Sequence, residues 1–261
     1  MNDFEEAIGE LDLRLFEKIP SQSSAQDKQS FLACQLATRE IRPNYNYLEI
    51  GSYLGGSIQP YLLDDRCARI YSIDKRPLTV PDERGSDFTY LNNSTKRMIE
   101  NLRELAPEKV EKIVTIDGDT RTIDPSEIKD KIELCFVDGE HTDAAVLSDF
   151  KFCLKVLEKD GAIVFHDAQI TYNGIAECIK LLQERSVVFK AYVLPHIVFV
   201  VEIGDFPLYK HARIMERLVN NHESYLFSLQ GNDSYRQFAN KLPFRAVRNL
   251  YYRIRKANIS S

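Results

Sequence analysis

Apolar runs of strand length recur through the middle of the chain, each followed by a stretch with helical spacing. The runs are Tyr45–Ile50, Arg69–Asp74, Lys112–Ile116, Ile132–Asp138 and Ala162–Phe165. The intervening pattern predicts helices at about 55–63, 95–106, 143–157 and 173–183, with Met98, Leu102 and Leu105 on one buried face and Leu147, Phe150, Leu154 and Leu157 on another. Lys159-Asp160-Gly161 reads as a turn. Two further apolar runs, Val187–Val193 and Ile197–Ile203, are joined only by Leu194-Pro195-His196. A link this short permits only antiparallel neighbours. The expectation is an α/β fold: a Rossmann-like, seven-stranded, mostly parallel sheet that closes with a C-terminal antiparallel β-hairpin.

Helical patterns flank this core. Phe4, Ile8, Leu11 and Leu15 recur at helical spacing, Pro20–Ser24 is a polar break, and a second helix covers about 27–39. Residues 1–44 are therefore expected to be a helical cap, a contact between subunits of a homo-oligomer, or a lid over substrate. Residues 45–204 hold the sheet, and 205–261 form a helical tail that turns basic. In that tail Phe244, Val247, Tyr251 and Ile254 share a face, with Arg245, Arg248, Arg253, Arg255 and Lys256 among them. This fits a docked amphipathic helix, or contact with a membrane surface or anionic substrate. Residues 75–93 are rich in Pro, Asp, Arg and Asn and read as a long loop, in which Phe88–Leu91 is a short extended piece.

The candidate chemistry lies at strand ends. Glu49, Asp74, Asp119 and Asp138 close the first four strands or the turns after them, and Asp167 closes the fifth. In an open parallel sheet those ends share one edge, where ligands bind. Five converging carboxylates repel one another unless cations or hydrogen-bond donors compensate. His141 and His166 fall on the same edge and could take a proton from an attacking hydroxyl, since imidazole titrates near neutrality. His196, His211 and His222 read as surface or hairpin residues.

The turn after the first strand narrows the ligand. A dinucleotide fingerprint needs G-x-G-x-x-G, but the matching frame here is Gly51, Tyr53 and Gly56, with tyrosine where backbone must approach a pyrophosphate. A phosphate-binding G-x-x-x-x-G-K-[ST] loop is also missing from the sequence. Asp74, at the end of the second strand, suits a ribose diol. An adenosine bearing a cationic, amino-acid-carrying sulfonium fits both facts.

Composition changes the picture little. Of 261 residues 44% are hydrophobic, the net charge is −5, and nothing global points to nucleic acid. No apolar run approaches the ~20 residues that span a bilayer. The N-terminus is acidic without an apolar signal segment, and the five cysteines form no C-x-x-C pair, so a reducing, cytoplasmic setting with buried thiols is expected.

The motifs Glu49-Ile50-Gly51-Ser52-Tyr53-Leu54-Gly55-Gly56-Ser57, Tyr71-Ser72-Ile73-Asp74, Phe136-Val137-Asp138-Gly139-Glu140-His141 and Gly161–Asp167 together resemble the class I S-adenosylmethionine-dependent methyltransferases. The resemblance is to the methyltransferase domain 24 branch, similar to macrocin-type sugar O-methyltransferases and cephalosporin-hydroxylase-like proteins, and covers about residues 45–204. It implies that Glu49, Gly51 and Ser52 hold the methionine part of the cofactor and that Asp74 binds the ribose. Gly118, Asp119 and Thr120 would lie against the adenine, and Asp138 beneath the sulfonium. Some relatives bind a divalent cation here. That implies Asp138, His166 and Asp167 as ligands for Mg²⁺ or another divalent cation, although His166 stands where an acid is usual, and an imidazole favours softer metals. The expected reaction is methyl transfer to a small-molecule hydroxyl, on a sugar or glycosylated metabolite, with His166 or His141 as base. Two rival readings are a metal-dependent oxygenase-like enzyme on the same fold and a non-catalytic cofactor-binding module.

Overall fold

The computed structural model describes residues 3–85, 87–231 and 241–259. In chain order the helices and strands are α1 (Asp3–Gly9), α2 (Ala25–Ile41), β1 (Tyr45–Ile50), α3 (Gln59–Leu63), β2 (Cys67–Asp74), β3 (Thr79–Val80), β4 (Phe88–Thr89), α4 (Thr95–Leu105) and β5 (Ile113–Asp117). Then come β6 (Ile132–Val137), α5 (Asp143–Val156), β7 (Leu157–Phe165), α6 (Tyr172–Glu184), β8 (Phe189–Leu194) and β9 (Val198–Ile203). The last are α7 (Ala212–Met215), β10 (Asn220–Asn221), α8 (His222–Gly231) and α9 (Phe244–Ile259).

The main sheet has the order β10-β8-β9-β7-β6-β1-β2-β5. β1 pairs in parallel with both β2 and β6, so the chain winds outward in one direction from β1 and then in the other. The crevice at such a reversal is where an open α/β sheet binds ligands. β9 runs antiparallel to both β7 and β8, which is the expected closing hairpin. The eighth strand, β10, is an edge addition beyond the seven expected and pairs antiparallel with β8. The small β3–β4 pair lies in the long loop.

Side chains alternate cleanly across the sheet, as the period of two requires. Tyr45, Tyr47, Leu134, Phe136, Ala162, Val164, Val198 and Val200 join a core with α1, α2, α3 and α4. Leu48, Ile50, Cys135, Val137, Ile163, Phe165, Phe199 and Val201 join another with α5, α6 and α8. The N-terminal helices are also pinned by a buried polar network. Arg39 donates to Asp64 at 3.0 Å and to Glu5 at 2.6 Å, while the Tyr45 hydroxyl donates to Asp64 at 2.9 Å. Removing one member of a buried pair typically costs about 3–5 kcal/mol, so α1 and α2 are firmly set against β1 and α3.

Two local expectations differ. The helix expected over 55–63 is only α3, because Tyr53 and Gly55 adopt positive φ and hold residues 53–58 in turns. The expected turn at 159–161 lies inside β7 as a bulge: Ile132 pairs with Leu157 and Leu134 with Ala162, so the intervening β7 residues are extra. Asp160 there accepts the Asp205 amide, which ties the bulge to the chain after β9. All five cysteines are buried and unpaired.

Candidate active site

Backbone hydrogen bonds extend the parallel ladder past the strand ends and bring the site residues into register. Gly51 donates to the Ile73 carbonyl, Asp138 to Ile50, His166 to Val137 and Gly118 to Asp74, at 2.8–3.0 Å. Gly51 is fixed by sterics. Its φ is +95°, and a Cβ there would sit 2.1 Å from the Asp138 carbonyl oxygen. The turn thus rides directly on the end of β6.

Asp74 anchors this turn. Its carboxylate accepts the Tyr53 amide at 2.9 Å and the Arg76 amide at 2.7 Å. Arg76 closes the arrangement by donating to the Tyr53 carbonyl at 2.6 Å. The Tyr53 ring meets Tyr90 edge-on at 5.2 Å and its hydroxyl donates to the Leu91 carbonyl, so the side chain replacing the fingerprint glycine holds the 75–93 loop over the site.

Two cavities open along this edge and share Gly51, Tyr53, Tyr90 and Asp138. The smaller, about 590 Å³, lies over the ends of β1, β2 and β5 and is lined by Asp74, Gly118, Asp119, Thr120 and Asp149 among others. The cations at its rim are committed to acids: Lys75 pairs with Asp119 and Glu140, and Arg121 with Asp119. Those pairs hold Asp119 well below the usual carboxylate range, with the Arg121 hydrogen bond the largest cause. Among the described lining residues Asp74, Asp119, Asp138, Glu140 and Asp149 outnumber Lys75 and Arg121, a poor match to phosphate and a better one to a nucleoside with a cationic end. Thr120 donates to Asp149 at 2.6 Å, and burial pushes the Asp149 carboxyl up to about 7 despite that bond.

The larger cavity, about 1310 Å³, is walled by Ser21, Ser23 and Ser24 of the N-terminal segment, by Phe88 and Tyr90, and by the acid–imidazole group at the ends of β6 and β7. Ser52 lines it with its hydroxyl 2.6 Å from that of Ser72. Glu49 does not line either cavity. It is fully buried, with one oxygen accepting the Tyr47 hydroxyl and the other the Ser57 hydroxyl, both at 2.6 Å. It reaches the larger cavity only through Ser57. Burial pushes its carboxyl up to about 7 against those hydrogen bonds.

The acid–imidazole group is dense. His166 Nδ1 lies 3.0 Å from Asp138 and 3.1 Å from Asp167, while its Nε2 faces Asp27 at 3.5 Å. His141 Nε2 lies 3.1 Å from Asp167 and 3.8 Å from Asp138, while its Nδ1 faces Asp82 at 3.5 Å. Burial disfavours charge on both rings, but the carboxylates outweigh it. His141 rises to about 10, and His166 lies well above its ordinary value. Burial likewise opposes ionisation of Asp138, yet the charge on His166 and the hydrogen bonds of both rings hold it below the usual range. The surrounding carboxylates thus favour the charged form of both imidazoles.

The set of side chains that can grip one ion also differs from the expected Asp138, His166 and Asp167. Among the described residues, Asp138, His141 and Asp167 each offer one ligand atom, all within 4.8 Å of one another. His166 sits beside this set and bridges its two carboxylates. The chemistry of the set, two oxygens and one nitrogen, fits a divalent cation.

Asp27, Asp82, Asp149 and Arg76 escaped the sequence reading, and His196 is more than a hairpin residue. Its Nδ1 lies 2.9 Å from Asp27, and it lines the larger cavity. Asp27 is completely buried and also caps α2 by accepting the Ser24 amide, so in sequence it reads as an ordinary capping box.

A doubly wound sheet with a closing antiparallel strand, and a nucleoside-sized cavity over a glycine turn at its reversal point, define the architecture of a class I methyltransferase. The comparisons agree. Residues 48–168, a little under half of the chain, match the model of the family described as Methyltransferase domain. Among solved structures, the O-methyltransferase TomG from Streptomyces achromogenes, in complex with SAM, superposes with a TM-score of 0.50 at 15% identity over 78% of this chain and 90% of that one. The calicheamicin methyltransferase CalS11 superposes with a TM-score of 0.51 at 15% identity, over 78% and 94% of the two chains. These likenesses establish the fold. The uncharacterized protein R132 of Acanthamoeba polyphaga mimivirus is 26% identical over 136 residues, 51% of this chain, which spans only 56% of that relative's length. Among the described residues, no helix is long and apolar enough to cross a membrane.

Proposed function

We propose that this chain is an S-adenosylmethionine-dependent O-methyltransferase that methylates a hydroxyl on a sugar or glycosylated small molecule. The observation that carries the reading is the meeting of the two cavities at Asp138, with the His141–Asp167 pair on the side of the larger one. A nucleoside-type ligand seated over Gly51 has its reactive end at that junction, facing any acceptor among the serines and aromatic rings of the larger cavity.

S-adenosylmethionine, when bound, supplies a methyl group made electrophilic by a sulfonium. The residues present fit it. Asp74 and Lys75 lie at the ribose position, Gly118, Asp119, Thr120 and Asp149 around the base, and Gly51, Ser52 and Ser57 along the methionine end, with Glu49 acting through Ser57. Asp138 supplies negative charge beside the sulfonium. The acceptor hydroxyl approaches the Asp167–His141 pair from the larger cavity. Asp167 accepts its proton, and the His141 imidazolium stabilises the oxygen's developing negative charge. His166 holds Asp138 and Asp167 in place, itself oriented by Asp27 from the N-terminal segment. Much of the gain comes from alignment of acceptor and donor.

The ligand set of Asp138, His141 and Asp167 favours a second form of the same reading, in which a divalent cation bound there polarises the acceptor hydroxyl. The serine-rich wall, the Phe88 and Tyr90 rings and the surrounding carboxylates suit a neutral acceptor with several hydroxyls. CalS11 is itself described as a TDP-rhamnose 3'-O-methyltransferase. The buried thiols suit a reducing, cytoplasmic setting.

The test is transfer of labelled methyl from S-adenosylmethionine across a panel of sugars, glycosides and phenols, with and without added Mg²⁺ or Mn²⁺. Labelled ether product supports the proposal. Binding of S-adenosylhomocysteine with no transfer to any acceptor supports the non-catalytic rival, and turnover that consumes dioxygen with iron supports the oxygenase rival.

A further inference from the structure

His196 stands in the turn between β8 and β9 with a φ of +69°, a left-handed conformation that favours glycine. The imidazole carried there is held from one side. Its Nδ1 lies 2.9 and 3.1 Å from the two carboxylate oxygens of the buried Asp27, and the next residue, Ile197, donates its amide to the same carboxylate at 3.4 Å. Among the described residues its Nε2 meets no hydrogen-bonding partner, while the side chain is 45% exposed and lines the larger cavity.

Asp27 also sets where this ring stands. Its Oδ2 contacts His196 Nδ1 and, at 3.5 Å, His166 Nε2, so a single oxygen atom separates the two rings. His166 in turn touches Asp167, where the acceptor hydroxyl approaches. His196 is therefore close to the reacting position but outside the set formed by Asp138, His141 and Asp167. With the Nδ1 proton donated to Asp27, Nε2 accepts from a hydroxyl when the ring is neutral and donates to one when it is charged. A sugar carries such a hydroxyl one or two carbons from the hydroxyl that reacts, and a simple phenol does not. Resting on the O-methyltransferase reading above, we propose that His196 binds a second hydroxyl of the acceptor through Nε2 and so selects polyhydroxylated acceptors over those with one hydroxyl.

The test compares the full chain with its His196→Asn and His196→Gln variants. The probes are labelled S-adenosylmethionine, simple phenols, and the methyl glycosides of glucose, galactose and mannose with their monodeoxy analogues. Asparagine keeps an N–H at the Nδ1 position and tolerates the left-handed turn, but has no atom at Nε2. Glutamine places its amide at the Nε2 position. For a glycoside that is methylated, His196→Asn raises KM roughly tenfold with kcat within about twofold, and His196→Gln restores part of the loss. One monodeoxy analogue gives the same KM with the parent and with His196→Asn, because it lacks the hydroxyl that the ring binds. Both variants keep the parent's affinity for S-adenosylhomocysteine, since His196 does not line the smaller cavity. A KM that His196→Asn leaves unchanged, or raises equally for the glycoside and every monodeoxy analogue, overturns this inference alone. So does transfer to phenols and to none of the glycosides. Transfer to nothing overturns the O-methyltransferase reading and this inference with it.

Discussion

The carboxylate of Asp27, on α2, faces Nε2 of His166, at the end of β7, across 3.5 Å, and both side chains are buried. A residue from the N-terminal segment thus orients the imidazole that bridges Asp138 and Asp167. Asp27→Asn removes that charge while keeping the shape and the cap of α2. Charge-assisted contacts of this kind are worth about 1.5–3 kcal/mol, so kcat for methyl transfer falls roughly 10–100-fold. Calorimetric affinity for S-adenosylhomocysteine stays within about twofold of the parent, since Asp27 does not line the smaller cavity. Loss of cofactor binding in this variant contradicts the assignment.

Asp74→Asn acts in the opposite way. Asp74 lines the smaller cavity and holds the Tyr53 and Arg76 amides. Isothermal titration should show the S-adenosylhomocysteine Kd rising about 10–100-fold. An unchanged Kd would mean that the cofactor does not touch this carboxylate.

Gly51→Ala tests the turn itself. The new methyl group meets the Asp138 carbonyl at 2.1 Å and a φ of +95°. Thermal unfolding should fall by about 5–10 °C. Gly9→Ala is the control, because nothing lies within 4 Å of its Cβ position and Tm stays put.

Glu202 makes stability depend on pH away from the site. It is buried, it accepts the Tyr192 hydroxyl at 2.7 Å and the Tyr209 amide at 2.6 Å, and burial raises its carboxyl to about 7 despite those bonds. A folded pKa above the unfolded value of 4.5 means that its contribution is fully present below pH 4.5 and is lost as pH rises through about 7. Glu202→Gln removes this loss. Relative to the parent, the variant gains up to about 3 kcal/mol between pH 4 and pH 8. Parallel Tm-versus-pH curves for the two proteins rule it out.

What the sequence disclosed follows from what periodicity and local chemistry record. Apolar runs bounded by turn residues gave the seven principal strands, because a strand buried on both faces must be apolar throughout. The acids closing those strands were legible because a parallel sheet sends every strand end to one edge. Residues that enter the site from elsewhere left no such mark. Asp27 is indistinguishable from a capping residue, and Asp149 sits one position before buried Phe150, where an acid ordinarily faces solvent. His196 reads as a hairpin turn. The charged state of His141 was likewise hidden, since it depends on Asp82 and Asp167, remote in sequence and close only in the fold. The bulge in β7 reads as a turn because the same Lys-Asp-Gly chemistry serves both.

The central claim is that the cavity over Gly51 seats S-adenosylmethionine. Isothermal titration of the full chain with S-adenosylhomocysteine tests it most directly. The account predicts one site per chain with micromolar affinity, weakened by Asp74→Asn and unchanged by Gly9→Ala. The absence of binding by either S-adenosylhomocysteine or S-adenosylmethionine, with the protein folded by its thermal transition, contradicts it.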